Sequence, residues 1–158
     1  MTSPCVRLEE ITDQNHDAVC ALRVHPAQEL FVSSVAQSLE EAAATPRARP
    51  WYRAIYSGEE PVGFVMLSWN VPPGHPGIIG PYFLWKLLID QHHQRRGFGR
   101  AALAQVIDLI RADGATELLT SYQPGDGEPW PFYQRFGFQP TGEIDHGEIV
   151  LRLALSSQ

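Results

Sequence analysis

The 158-residue sequence predicts an α/β (α+β) fold: a mixed sheet of about seven strands flanked by about four helices. Three observations carry that expectation. Apolar residues recur with period two in several short runs and with helical period in others. The runs interleave as β-α-α-β-β-β-α-β-α-β-β, and the fourth and fifth strands, joined through a helix, should run parallel. Finally, 44% hydrophobic and 19% charged residues suit one packed core, and residues 1–158 read as a single domain.

Val6-Arg7-Leu8-Glu9 alternates as a short first strand. Thr12 or Asp13 can cap a helix bearing Ala18, Val19 and Leu22 that stops before Pro26. Phe31, Val35 and Leu39 mark a second amphipathic helix, ended by the Pro46–Pro50 segment. Trp51–Tyr56 and Val62–Trp69 flank a Ser57-Gly58-Glu59-Glu60 turn and should form an antiparallel hairpin. Val71–Gly80, VPPGHPGIIG, is a long loop, and Tyr82–Ile89 a buried central strand. Leu103, Val106, Ile107 and Ile110 make a helical stripe that Gly114 terminates, and Glu117–Tyr122 is the strand that should lie parallel to Tyr82–Ile89. Pro131–Phe136 reads as a short helix ended by Gly137, before two strands, Phe138–Glu143 and Glu148–Leu155, around Asp145-His146-Gly147.

A net charge of −6 argues against non-specific nucleic-acid binding. Cys5 and Cys20 lack metal-ligand spacing and read as free thiols, so no metal is expected. MTSPCVRLEE lacks the basic and apolar regions of a signal peptide, and no apolar run approaches a membrane span. The expected location is cytoplasmic.

The stretch Leu87–Arg100, LLIDQHHQRRGFGR, holds the strongest chemical signal. A strand ends at Asp90, and a basic, amide-rich loop then meets a helix opening at Gly97-Phe98-Gly99. Loop amides at a helix N-terminus suit an anion such as a pyrophosphate. Gly97 and Gly99 are able to take positive φ, while Arg95, Arg96 and Arg100 add forked cations. Gly97-x-Gly99-x-x-Ala102 formally meets a relaxed dinucleotide fingerprint. Its context disagrees: it follows a hairpin, six residues separate it from Asp90, and no acid closes the Glu117–Tyr122 strand. No Gly-Lys-Ser/Thr occurs, so a Walker A loop is excluded.

Gln94-Arg95-Arg96-Gly97-Phe98-Gly99 resembles the Q/R-x-x-G-x-G/A acyl-CoA loop of the GNAT superfamily of N-acetyltransferases. Pro131-Phe132-Tyr133-Gln134-Arg135-Phe136-Gly137-Phe138 resembles that superfamily's later tyrosine helix and Gly-Phe strand start. Element order extends the resemblance over essentially the whole chain. A narrower similarity is to the bacterial spermine/spermidine (diamine) acetyltransferase branch. It lies in Trp85-Lys86-Leu87-Leu88-Ile89-Asp90, Ser121-Tyr122-x-Pro124 and Thr141-Gly142-Glu143. An asparagine common before the tyrosine helix is here Asp126.

The resemblance implies an acetyl-CoA cosubstrate and direct attack of an amine through a tetrahedral intermediate. The backbone of Leu87, Leu88 and Ile89 would hold the pantetheine arm between splayed strands. Gln94, Arg95, Arg96, Gly97, Phe98, Gly99 and Arg100 would hold the pyrophosphate, with Asp126 nearby. Tyr133 would protonate the leaving thiolate. His75, His92, His93, Asp90, Glu29 and Glu40 are chemically able to act as the base, and a water relay needs none of them. Phe31, Trp69, Tyr82 and Trp85 would line an aliphatic amine's channel, with Glu29 or Glu40 meeting its ammonium, although core aromatics explain the same residues. The implied acceptor is a polyamine or other small amine. Another acceptor (amino acid, aminoglycoside or protein N-terminus), a non-catalytic acyl-CoA module and a nucleotide-binding domain are the alternatives. By analogy with the superfamily, strand exchange or edge pairing through the last two strands would give a homodimer, while the sequence itself leaves the oligomeric state open.

Overall fold

The structure, a computed structural model, describes residues 5–28, 32–74 and 77–155. Glu29, Phe31 and His75 therefore lie outside the described residues. The strands are β1 (Arg7–Glu9), β2 (Pro50–Ser57), β3 (Glu60–Ser68), β4 (Phe83–Ile89), β5 (Glu117–Tyr122), β6 (Gln139–Asp145) and β7 (Glu148–Ala154). The α-helices are α1 (His16–Cys20), α2 (Val35–Ala44), α3 (Phe98–Ala112) and α4 (Trp130–Phe136). They build one seven-stranded sheet in the order β1-β2-β3-β4-β5-β7-β6, antiparallel except for β4 beside β5. The expected mixed sheet with four helices is the observed one.

Two helix starts differ from expectation for a local reason. Asn15, not Thr12 or Asp13, precedes α1, and its side chain turns back to accept from the Thr12 amide at 2.7 Å. An Asx side chain spent on a turn leaves the helix uncapped, and α1 ends at Cys20 with the buried Leu22 beyond it. The second helix begins at Val35 because Ser34 and Gln37 form a reciprocal capping box, with bonds of 3.1 and 3.0 Å. Gly114 (φ 99°) and Gly137 (φ 105°) end α3 and α4 as expected. His146 (φ 50°) and Gly147 (φ 82°) give the two-residue turn between β6 and β7 the left-handed pair that such hairpins use.

The core lies on both faces of the sheet. Leu84, Leu103, Val106, Ile110, Leu118 and Phe138 fill the side covered by α3 and α4. Val19, Val35, Ala42, Phe64, Met66 and Leu88 fill the side covered by α1 and α2. β4 contributes to both and breaks its own alternation. Met66 pairs with Lys86 but Leu67 pairs with Leu84, so Trp85 is an extra residue, a β-bulge. Trp85 and Lys86 consequently both face the α2 side: Trp85 packs in that core and Lys86 reaches Glu41 and Ser33.

Candidate active site

β4 and β5 pair only at Phe83↔Leu119 and Leu84↔Thr120. At that fork the Thr120 hydroxyl donates to the Leu84 carbonyl at 2.9 Å, so a side chain caps the last rung. Beyond it β4 runs on through Ile89 unpaired on its β5 side, and a cleft of about 510 Å³ opens. Leu87, Trp85, Thr120, Ser121 and Tyr133 are among its walls.

Tyr133 sits in α4, held edge-on by Phe132 at 5.5 Å and Phe138 at 5.3 Å between ring centres. It is 8% exposed. Burial, the larger cause, together with the Glu148 charge pushes its phenol up to about 12, and the Thr120 hydroxyl offsets part of that. The phenol is thus protonated at neutral pH and lies against the cleft.

The phosphate-type loop is built from backbone. Asp90, 7% exposed, accepts from the Arg23 amide at 2.8 Å and the His92 amide at 3.1 Å, which fixes the 3₁₀ turn Gln91–His93. Those bonds make it a structural carboxylate rather than a base. Gln94 donates to the Ile89 carbonyl at 2.9 Å and to Gln28 at 2.7 Å, so its side chain pins the loop to the end of β4. Arg95 (φ 65°) and Gly97 (φ 83°) then turn the chain into α3, whose Gly97 N-cap supplies no side-chain oxygen. The first-turn amides are left without a side-chain cap. Gly99 does not take positive φ. It lies in the first turn of α3, where a Cβ would meet Ile89 at 3.4 Å and Phe132 at 3.7 Å, ordinary contact distances. Phe98 is buried and anchors the helix, while Arg95, Arg96 and Arg100 are exposed and join no ion pair among the described residues.

The residues expected at the acceptor side separate. Trp85 lines the cleft. Trp69 and Tyr82 do not: Trp69 packs between Trp51 and Tyr82 against the core, and the Tyr82 hydroxyl donates to Asp113 after α3. Their aromatic character is explained by packing. Glu40 is exposed, and its neighbour Glu41 is the one turned inward, 3.1 Å from Lys86. His92 is exposed, and His93 lies 3.3 Å from Glu60, outside the cleft lining. Asp126 is exposed on the loop before α4. Sequence reasoning missed Lys86, Asp145 and Glu148, which the cleft brings together. Among the described residues no group of three or more His, Cys, Asp or Glu side chains is arranged to hold a metal. None of their helices is long and apolar enough to cross a membrane.

Known proteins share this architecture. A crystal structure of an acetyltransferase from Thermus thermophilus superposes with a TM-score of 0.74 at 22% identity, covering 98% of this chain and all of that one. PaiA N-acetyltransferase from Thermoplasma acidophilum, solved in complex with coenzyme A, superposes at 0.68 with 10% identity, covering 96% and 99%. The spermine/spermidine N(1)-acetyltransferase of Bacillus subtilis (strain 168) is 28% identical over 148 residues, which is 92% of this chain and 96% of that protein. Residues 16–138 match the acetyltransferase (GNAT) family. With the forked strands, the open helix start and the family match in agreement, the chain belongs to the GNAT acetyltransferase family and is an acetyl-CoA-dependent N-acetyltransferase.

Proposed function

We propose that this enzyme acetylates a primary amine of a polyamine or another small amine. The observation that carries the reading is the cleft itself, which sets Tyr133 beside the β4–β5 fork and the carboxylates of Asp145 and Glu148 along the same lining. An anionic lining suits a cationic acceptor. The 28% identity to a spermine/spermidine acetyltransferase supports the same class.

Acetyl-CoA supplies an activated acyl carbon. In this proposal the amides of Phe98, Gly99 and Arg100, with Arg95 and Arg96, hold its pyrophosphate. The unpaired backbone of Leu87 and Leu88 aligns the pantetheine arm, while Gln94 already occupies the Ile89 carbonyl. Tyr133 gives its proton to the departing sulfur. Asp126, exposed on the loop before α4, would be free to contact either substrate. A second reading has one specific support: Lys86 in the cleft would suit an amine that also bears a carboxylate, such as an amino acid, although Glu41 already pairs with it. β6 leaves an exposed sheet edge for pairing with a second copy, which sedimentation would detect as a dimer.

The test is a panel of spermidine, spermine, putrescine, amino acids, an aminoglycoside and a peptide N-terminus, assayed for release of free CoA thiol. Turnover of the polyamines above the others is expected. Inactivity on all three with turnover of another amine would remove the polyamine reading.

A further inference from the structure

An amine acceptor arrives as an ammonium ion, since alkyl amines titrate near pH 10, and its lone pair appears only when a proton leaves. The reaction needs a group to take that proton. The described sequence candidates are disposed of by geometry: Asp90 is tied to two amides, and His92, His93 and Glu40 lie outside the cleft lining. Among the described residues lining the cleft, the carboxylates are Asp145 and Glu148.

These two are not equivalent. Glu148 begins β7, one residue beyond the Ile149↔Tyr122 pair, so it lies against the end of β5. There Ser121 Oγ donates to its Oε1 at 2.9 Å, which leaves Oε2 without a partner among the described residues. Its charge reaches Tyr133, where it helps keep the phenol protonated. Asp145, opposite it across the hairpin, lies 3.0 Å from His146 Nδ1. Lys86, the cation of the lining, is balanced by Glu41. Tyr122 and Tyr133 are the remaining titratable groups there.

We infer that Glu148 is the catalytic base, with Ser121 orienting its carboxylate. This rests on the reading that the acceptor is an amine entering this cleft. Glu148 takes one proton from the ammonium and becomes a carboxylic acid. The neutral nitrogen then bonds to the acetyl carbon, and the C–S bond breaks with its electron pair going to sulfur, which Tyr133 protonates. A second proton shed by nitrogen returns to the Tyr133 phenolate, and Glu148 releases its own to solvent. One proton leaves per turnover, as amide formation from an ammonium requires.

The experiment compares Glu148→Gln, Asp145→Asn and Ser121→Ala with the parent across pH 7 to 9.5, using the panel amine turned over fastest. Glu148→Gln is expected to lower kcat at pH 7 by about ten-fold or more, with acetyl-CoA affinity kept. The deficit should shrink by about ten-fold per pH unit as solution supplies the free amine itself. Ser121→Ala, which keeps the carboxylate, should show the same pH recovery from a smaller loss, and it carries the test if Glu148→Gln folds poorly. A deficit equal at every pH, a change only in the amine's KM, or a pH-dependent loss in Asp145→Asn instead would overturn the assignment. A parent that releases no CoA with any amine overturns the acceptor reading itself.

Discussion

The proposed donor half of the site and the proposed acceptor half are built in opposite ways. The proposed donor half is one continuous stretch, Ile89 to Arg100, outside the cleft lining and held in shape by Asp90, Gln94 and a left-handed Gly97. The proposed acceptor half is a cleft assembled from side chains far apart in sequence: Lys86 on β4, Ser121 on β5, Asp145 on β6 and Glu148 on β7. In the proposed reading the first meets a fixed chemical handle through neighbouring residues of one loop. The second is free to vary, because sheet order alone places those side chains together.

The contrast can be broken most sharply at Tyr133, to which the proposed chemistry gives a part in both halves. Tyr133→Phe should cut kcat by about a hundred-fold through loss of the acid, with acetyl-CoA binding by calorimetry unchanged. Unaltered turnover would remove Tyr133 from the chemistry. Asp90→Ala should come next. Two backbone amides lose a buried acceptor, so the melt should report about 2 kcal/mol or more of destabilisation and a weakened donor site. Arg95→Ala and Arg96→Ala should each raise the acetyl-CoA Kd by about three- to ten-fold, less so at high salt, while leaving the amine's KM alone. A matching rise in the amine's KM would show the two halves to be coupled.

The smallest effect separates core from cleft by pH. Tyr82 and Tyr133 are each pushed up to about 12 from 10, in both cases chiefly by burial. A folded pKa above the unfolded one means stability that is complete below about pH 10 and lost as pH rises toward 12. Melting temperature should therefore fall across pH 10 to 12, and each Tyr→Phe variant should flatten part of that fall. A slope unchanged in both variants would assign the alkaline loss to other groups.

What could be read from the chain follows the same division. The strands, α3, α4 and the loop were legible because hydrophobic period, glycine and helix starts are local signals. The Ser34–Gln37 capping box was equally local and would have moved the start of α2 to its observed place. Trp69, Tyr82 and Trp85 were indistinguishable as aromatics. A bulge that turns Trp85 and Lys86 to one face depends on pairing with β3, which no local pattern encodes. Glu148 looked like a strand's first polar residue until β7 came to lie beside β5.

The fork at Leu84 and Thr120 has a mechanical consequence. A sheet joined at two rungs is a seam between two plates, one of β1 to β4 and the other of β5, β7 and β6. Twisting about that seam changes the width of the gap while breaking almost no backbone hydrogen bonds within either plate. The core beneath α3 spans both plates, from Leu67 and Leu84 to Leu118 and Leu151, so side-chain packing there, more than backbone pairing, holds the gap at its width.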